Sequence, residues 1–296
     1  MCGIVGLFLK DHSLEPKLGQ MMHEMLGTLG DRGPDSAGFA VYGSAENLGK
    51  LTIQSSDTSQ FDGLDVVLTD KLGTPVELAR RATHAVLRLD QGFVPALKQI
   101  LRQGFPSIRI MSAGRCIEIY KEVGYPTAVS NKFSLATMAG THGIGHTRMA
   151  TESAVTTLGA HPFSTGEDQC LVHNGSLSNH NNLRRELQRE GFEFETENDT
   201  EVAAAYLSWQ MREGLSLGDA LKRSIEDLDG FYTFVVGTRE GFAVLRDPVA
   251  CKPAVLAETD RYVAFGSEYR ALVGLPGIEK AKVWEPEPAT VYFWEQ

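Results

Sequence analysis

No apolar run in this chain approaches the ~20 residues that a bilayer-crossing helix needs. Nothing resembling a secretory signal precedes Cys2. Neither a membrane nor export is therefore expected. Cysteine is sparse. Cys2, Cys116, Cys170 and Cys251 are widely scattered, with no C-x-x-C pair and no zinc-ligand spacing. A disulfide framework and a zinc site are thereby disfavoured, and a cytoplasmic protein with reduced thiols is expected, its three later cysteines serving as packing residues. Positive charge is in deficit, with 28 Lys and Arg against 38 Asp and Glu and a formal charge of −10. That balance disfavours nucleic acid or an anionic membrane as the main partner. Low-complexity linkers and internal repeats are also missing.

What is present is an ordinary soluble composition, 42% hydrophobic and 22% charged over 296 residues. Such a chain is long enough for one large domain or two small ones, with a sizeable core. Its opening, Met1-Cys2-Gly3-Ile4-Val5-Gly6, holds the most pointed chemistry. Removal of Met1 would leave Cys2 with a thiol and a free α-amine on adjacent carbons. Thiolates are the reactive form of cysteine. An α-amine titrates near pH ~7.7, close to the optimum for a general base at neutral pH. N-terminal nucleophiles that use their own amine are an established solution for acyl transfer. The plain alternative is a cysteine that merely occupies position 2.

Along the chain, residues 3–9 read as a strand. Residues 16–30 read as an amphipathic helix, with Leu18, Met21, Met22, Met25, Leu26 and Leu29 on one face. Gly30–Gly38 is a tight glycine- and proline-marked loop, and 39–43 a strand. KLTIQS is a further strand. Residues 59–115 read as an inserted αβ subdomain with two helical stretches, PVELARRATHAVLR and FVPALKQILRQG, and a strand at SIRIM. On that reading Arg80, Arg81 and Arg88 lie on a solvated helix face. Residues 116–138 look partly helical. QCLVHNG is a strand ending in Asn174-Gly175, itself a common hairpin-turn pair. A helix over NHNNLRRELQREG is opened by Ser178 and closed by Gly191, and two more helices cover VAAAYLSWQMREG and LGDALKRSIEDL. The last third alternates as strands. Grouped rather than strictly alternating elements predict antiparallel sheets with helices outside, an α+β protein.

Eight stretches in order resemble the class II glutamine amidotransferase domain of the N-terminal nucleophile hydrolases. They are CGIVG at 2–6, RGPDSAG at 32–38, GIGHTRMAT at 143–151, HNG at 173–175, NDTE at 198–201, DGFYTFVV at 229–236, RDPVACKP at 246–253 and SEYRAL at 267–272. The resemblance implies a four-layer αββα sandwich of antiparallel sheets over residues 2–296, interrupted by the 59–115 subdomain. It also implies roles. Cys2 would attack the glutamine side-chain amide and form a thioester. The Asn174 side chain and the Gly175 N–H would form the oxyanion hole, and Arg32 would orient the nucleophile. Arg148 would grip the substrate α-carboxylate bidentately, as guanidinium groups do, with Thr151 nearby. Asp199 would receive the α-ammonium. A surface arginine and a helix-capping Asp199 are the plain alternatives. Met149 stands where many relatives have an aromatic residue, which implies a looser pocket wall. His146, His161 and His173 are expected to be structural hydrogen bonders.

The overall look is that of amidotransferase subunits in glutamate-synthase-like assemblies, N-methylglutamate synthase in particular. No synthase domain follows the amidotransferase stretches, so glutamine would be the substrate and ammonia would pass to a separate synthase subunit of a hetero-oligomer. No cofactor is expected in this chain, FMN and iron–sulfur groups belonging to partner subunits. The alternative is an assembly subunit that keeps the fold without catalysis.

Overall fold

A computed structural model describes residues 2–43, 47–150 and 154–295. Among them the strands are β1 (Gly3–Leu9), β2 (Ser36–Tyr42), β3 (Leu48–Gln54), β4 (Glu77–Arg81), β5 (His84–Asp90), β6 (Arg109–Gly114), β7 (Ile117–Val123), β8 (His142–Arg148), β9 (Cys170–Leu177), β10 (Gly230–Gly237), β11 (Gly241–Arg246), β12 (Val255–Glu258), β13 (Tyr262–Gly266), β14 (Lys282–Trp284) and β15 (Val291–Glu295). The helices are α1 (Leu18–Thr28), α2 (Leu64–Leu72), α3 (Val94–Gly104), α4 (Pro126–Lys132), α5 (His180–Arg189), α6 (Asp199–Arg212) and α7 (Leu217–Asp227).

Two antiparallel sheets stack face to face. One has the order β14-β12-β13-β1-β8-β2-β7, the other β15-β11-β10-β9. Helices cover both outer faces, which makes the αββα sandwich. The side-chain period of two explains how one strand serves two layers. In β1, Val5, Leu7 and Leu9 pack under α1, while Ile4 and Phe8 point at the opposing sheet. In β10, Phe234 and Val236 face the helices α5–α7 and Val235 faces the sandwich core. Strands covered on both faces read as nearly continuous apolar runs, which is the pattern of GIVGLFL and FYTFVV.

The third sheet, β4-β5-β3-β6, forms a separate unit with α2 and α3 around its own core of Leu51, Ile53, Leu68, Leu87, Leu97 and Leu101. It lies between β2 and β7, which are neighbours in the large sheet. β3, which precedes the 59–115 range, is central to this sheet, pairing with both β5 and β6.

Four local readings change, the first being that the QCLVHNG strand does not end at the Asn174-Gly175 pair but runs on as β9 to Leu177, paired with β10 throughout. PVELARRATHAVLR is the β4–β5 hairpin, not a helix. Its residues favour helices intrinsically, but β5 gains a second partner in β3, and sheet pairing overrides local propensity. Arg80, Arg81 and Arg88 therefore lie on strands. Arg80 pairs with Asp62, Arg88 lies 3.6 Å from Glu118, and Arg81 reaches over the Tyr120 ring. Ser178 does not cap α5. Its hydroxyl donates to the Asp229 carboxylate at 2.6 Å, and Asn179 stands at the cap position without a side-chain cap bond. No helix among the described residues is long and apolar enough to cross a membrane.

Candidate active site

The site forms where β1, β8 and β2 of one sheet meet β9 of the other around Asn174. β1 pairs with β8 from Gly3 opposite Thr147, which sets Cys2 beside Arg148 at the strand ends. Cys2 is half-buried. Its carbonyl oxygen accepts two side-chain hydrogen bonds, from Arg32 Nε at 3.1 Å and Asn174 Nδ2 at 3.3 Å. Its sulfur makes a long contact, 3.9 Å, with the Met149 carbonyl oxygen. Next along β1, Ile4 N–H donates to Ser267 Oγ at 2.9 Å, and Ser267 N–H returns a bond to the Ile4 carbonyl at the same distance. The Cys2 carbonyl and the strand that follows it are therefore held by side chains from three other segments.

Arg32 sits on a short 3-10 turn at 30–32 and ion-pairs with Glu268. Glu268 also pairs with Arg270, and these cations hold its carboxyl low even though burial pushes the other way. Reasoning from sequence gave Glu268 no role, although it lies in the quoted SEYRAL stretch. The loop 33–35 is stitched to β8. Asp35 N–H donates to the Arg148 carbonyl at 3.1 Å, and Asp35 Oδ2 accepts from Ala150 N–H at 2.7 Å. Gly33 is required by this contact, since a Cβ there would stand 2.4 Å from the Thr147 carbonyl carbon. Asp35 also carried no sequence-derived role.

Arg148 is 7% exposed, and its Nη1 donates to the Ala154 carbonyl at 3.3 Å. The Met149 side chain is exposed. Thr151 lies outside the described residues.

Asn174 is buried within β9, opposite Thr233 of β10. Gly175 adopts φ +151°, and a Cβ on it would stand 2.0 Å from the Phe231 carbonyl oxygen. Only glycine allows this backbone to turn so close to β10.

Asp199 is the first residue of α6, not its cap. Asn198 caps the helix by accepting from Thr200 N–H at 2.9 Å, which leaves the Asp199 carboxylate for other partners. Its Oδ2 accepts from Leu177 N–H at 2.9 Å, and its Oδ1 lies 3.6 Å from His173 Nδ1. Burial pushes this carboxyl up, but the His173 interaction and the Leu177 hydrogen bond outweigh it and hold it at about 2.

The three histidines form one buried group behind the site. His146 and His161 stack with centroids 4.0 Å apart, and His146 Nε2 bonds the His173 carbonyl at 3.0 Å. Thr200 Oγ1 joins His173 Nδ1 at 3.0 Å to His161 Nε2 at 3.2 Å. Burial lowers His146 to about 3 and His161 well below the ordinary histidine value. Both are neutral hydrogen-bonding groups at physiological pH. Thr200 was missed from sequence because a threonine in a helix's first turn carries no chemical signal of its own.

Among the described residues no cluster of three or more His, Cys, Asp or Glu side chains is placed to hold a metal. The arrangement instead gathers a cysteine, side-chain amide and guanidinium donors, a buried arginine and an anionic carboxylate at one end of the sandwich.

Comparison with known proteins agrees with this architecture. A glutamine amidotransferase domain matches residues 146–274. The glutamine amidotransferase-like protein GlxB of Rhizobium meliloti (strain 1021) is 64% identical over 297 residues, covering 100% of this chain and 98% of that protein. The isomerizing glutamine–fructose-6-phosphate aminotransferase of Vibrio vulnificus (strain YJ016) is 32% identical over 145 residues, 48% of this chain and 24% of that one. The glutamine phosphoribosylpyrophosphate amidotransferase structure from B. subtilis shares the fold, with a TM-score of 0.62 at 21% identity over 97% of this chain. This chain spans 46% of that structure's length. Sequence kinship over the full chain and the shared αββα sandwich place this protein among the class II glutamine amidotransferases, enzymes of the N-terminal nucleophile hydrolase fold.

Proposed function

We propose that this chain hydrolyses glutamine to glutamate and ammonia through Cys2, for use by a separate synthase subunit. With Met1 removed, the Cys2 α-amine takes the thiol proton and the sulfur attacks the side-chain amide carbon. The C–S bond forms as the carbonyl electrons move to oxygen. Collapse of the tetrahedral adduct expels ammonia, which leaves with the proton returned by the α-ammonium. Water then cleaves the γ-glutamyl thioester, giving glutamate and the free thiol.

The observation that carries this reading is the convergence of Arg32 and Asn174 on the Cys2 carbonyl. It supports Arg32 as the group that orients the nucleophile. It also puts the Asn174 amide beside the reacting residue, where it would donate to the oxyanion together with Gly175 N–H. Preorganised donors of this kind are worth ~2.7–4 kcal/mol each in the transition state. Arg148, with Thr151, would hold the substrate α-carboxylate, and the anionic Asp199 the α-ammonium. Met149 would contribute its backbone to the pocket wall. No cofactor enters these steps.

For the acceptor, the HTRMATESAV run and the insertion support a synthase subunit of a glutamate-synthase-like assembly, N-methylglutamate synthase in particular. FMN and iron–sulfur chemistry would lie on that side of the complex. The test is glutamine hydrolysis by the full chain and by Cys2→Ala, each with its intact mass measured. A chain that lacks Met1, turns over glutamine and loses that turnover in Cys2→Ala supports the proposal. Turnover unchanged in Cys2→Ala overturns the nucleophile. No turnover with or without the synthase subunit leaves the chain as a non-catalytic assembly subunit.

A further inference from the structure

The amidotransferase chemistry leaves one buried charged side chain unused, Lys121 of β7, which is 5% exposed. Its ammonium donates to three backbone carbonyls of one loop: Leu158 at 3.0 Å, Ala160 at 2.8 Å and Pro162 at 3.2 Å. A lysine ammonium has three donors and no acceptor, so three acceptors satisfy it completely. The same ammonium lies 4.3 Å from the centroid of the Phe163 ring. The next residue, Glu122, accepts from Thr157 Oγ1 and tethers the start of the loop to the same strand. The loop lies flat on the sheet because Gly38, opposite Lys121, has no side chain. A Cβ at Gly38 would stand 2.2 Å from the His161 carbonyl oxygen.

This loop touches both ends of the substrate grip. At one end, Gly159 lies against Arg148, its would-be Cβ 3.4 Å from Nη1. At the other, the Gly159 carbonyl accepts from Asn198, the residue that caps α6 and precedes Asp199. His161 in the same loop bonds Thr200, the residue after Asp199. The 157–162 loop therefore bridges the Arg148 guanidinium and the first turn of α6, which carries Asp199.

We infer that Lys121 is a positioning residue for the substrate, fixing through that loop the spacing between the groups that hold the two ends of an α-amino acid. The inference rests on the glutamine reading given above. Burial lowers Lys121 to about 8, against the opposing pull of Glu201 and Glu195, so near neutral pH most molecules carry the full set of three donors. A grip of this kind holds ground and transition states alike. Its loss raises KM and leaves kcat in place.

The test compares the full-length wild type with Lys121→Met, which keeps the stem and removes the donors, and with Thr157→Val, a milder cut of the second tether. Glutamine turnover, the rate of Cys2 alkylation by iodoacetamide and amide hydrogen exchange of residues 156–163 and 196–200 are measured. The expected result for Lys121→Met is a KM raised about tenfold with kcat within about twofold. Its alkylation rate is unchanged and exchange is faster in both segments. Thr157→Val shows the same split to a smaller degree. A Lys121→Met or Thr157→Val protein that is folded, with wild-type KM and wild-type exchange, overturns the inference. So does a fall in kcat and alkylation together, which marks general damage to the site. A wild type that turns over no glutamine overturns the reading beneath it, and is told apart by failing before any substitution is made.

Discussion

Asn174 Nδ2 lies 3.3 Å from the carbonyl oxygen of Cys2, although the two residues are 172 positions apart and belong to different sheets of the sandwich. At this end the sandwich closes around a polar contact, while its interior is packed with Ile4, Val172, Val235 and Phe265. An amide donor held beside the nucleophile by two rigid strands needs no reorganisation when charge develops there. Asn174→Ala is expected to lower kcat for glutamine hydrolysis by about 10²–10³ with a small change in KM. Steady-state kinetics decide it, and a change confined to KM would remove Asn174 from the oxyanion role.

Gly175 tests the backbone half of the same corner. At φ +151°, with the Phe231 carbonyl oxygen 2.0 Å from a would-be Cβ, alanine can be accommodated only if β9 and β10 separate. Gly175→Ala should destabilise the fold by about 3 kcal/mol or more. That corresponds to a fall of roughly 8 °C in melting temperature. Thermal denaturation followed by circular dichroism gives the answer.

Asp199 is held at about 2 in the folded chain against an ordinary 3.8, because His173 and the Leu177 N–H outweigh the effect of burial. The folded state thus binds this proton less readily than the unfolded one. The associated stability is fully present above about pH 4 and is lost as pH falls through about 2. The melting temperature of the wild type should fall more steeply over that window than that of Asp199→Asn. Asp199 is an anion throughout the neutral range, so its titration should leave no inflection in the pH dependence of glutamine KM.

Buried histidines act in a higher window. Burial lowers His84 and His146 to about 3 and His142 to about 4, and places His161 well below the ordinary 6.5. Unfolding exposes imidazoles that bind protons the folded chain refuses, so stability rises with pH between about 4 and 6.5. At pH ~5 these four residues should take up about four protons on unfolding. Calorimetry in buffers of different ionisation enthalpy measures the uptake, and His142→Gln should reduce it by about one.

Asp168 links the inserted unit to the sandwich. Its carboxylate accepts from the consecutive N–H groups of Arg115 at 2.9 Å, Cys116 at 2.9 Å and Ile117 at 3.1 Å, at the turn between β6 and β7. Asp168→Ala strands these donors in a buried position, where each unmet group costs ~1–3 kcal/mol. A loss of about 2–4 kcal/mol in urea denaturation is expected. A loss below about 0.5 kcal/mol would show that water or local relaxation replaces the carboxylate.

The sequence alone marked the buried strands, the antiparallel α+β class and a reactive residue type near the chain's start. GIVGLFL and FYTFVV read as strands because residues buried on both faces leave an apolar signal at every position. Cys2 stood out by its chemistry and position, whereas Arg32, Arg148, Asn174, Gly175 and Asp199 were marked by the resemblance of their short motifs to the class II amidotransferase domain. Tertiary structure alone decided the rest. PVELARRATHAVLR became a hairpin because β3 offered β5 a partner that no local pattern records. Ser178 lost its expected cap to Asp229, 51 residues away. Asp35, Lys121, Thr200 and Glu268 acquired their contacts through distant carbonyls, amides and counter-charges. Side-chain period and residue chemistry are written along the chain, whereas the hydrogen-bond partner of a buried polar group is set only when the fold brings distant segments together.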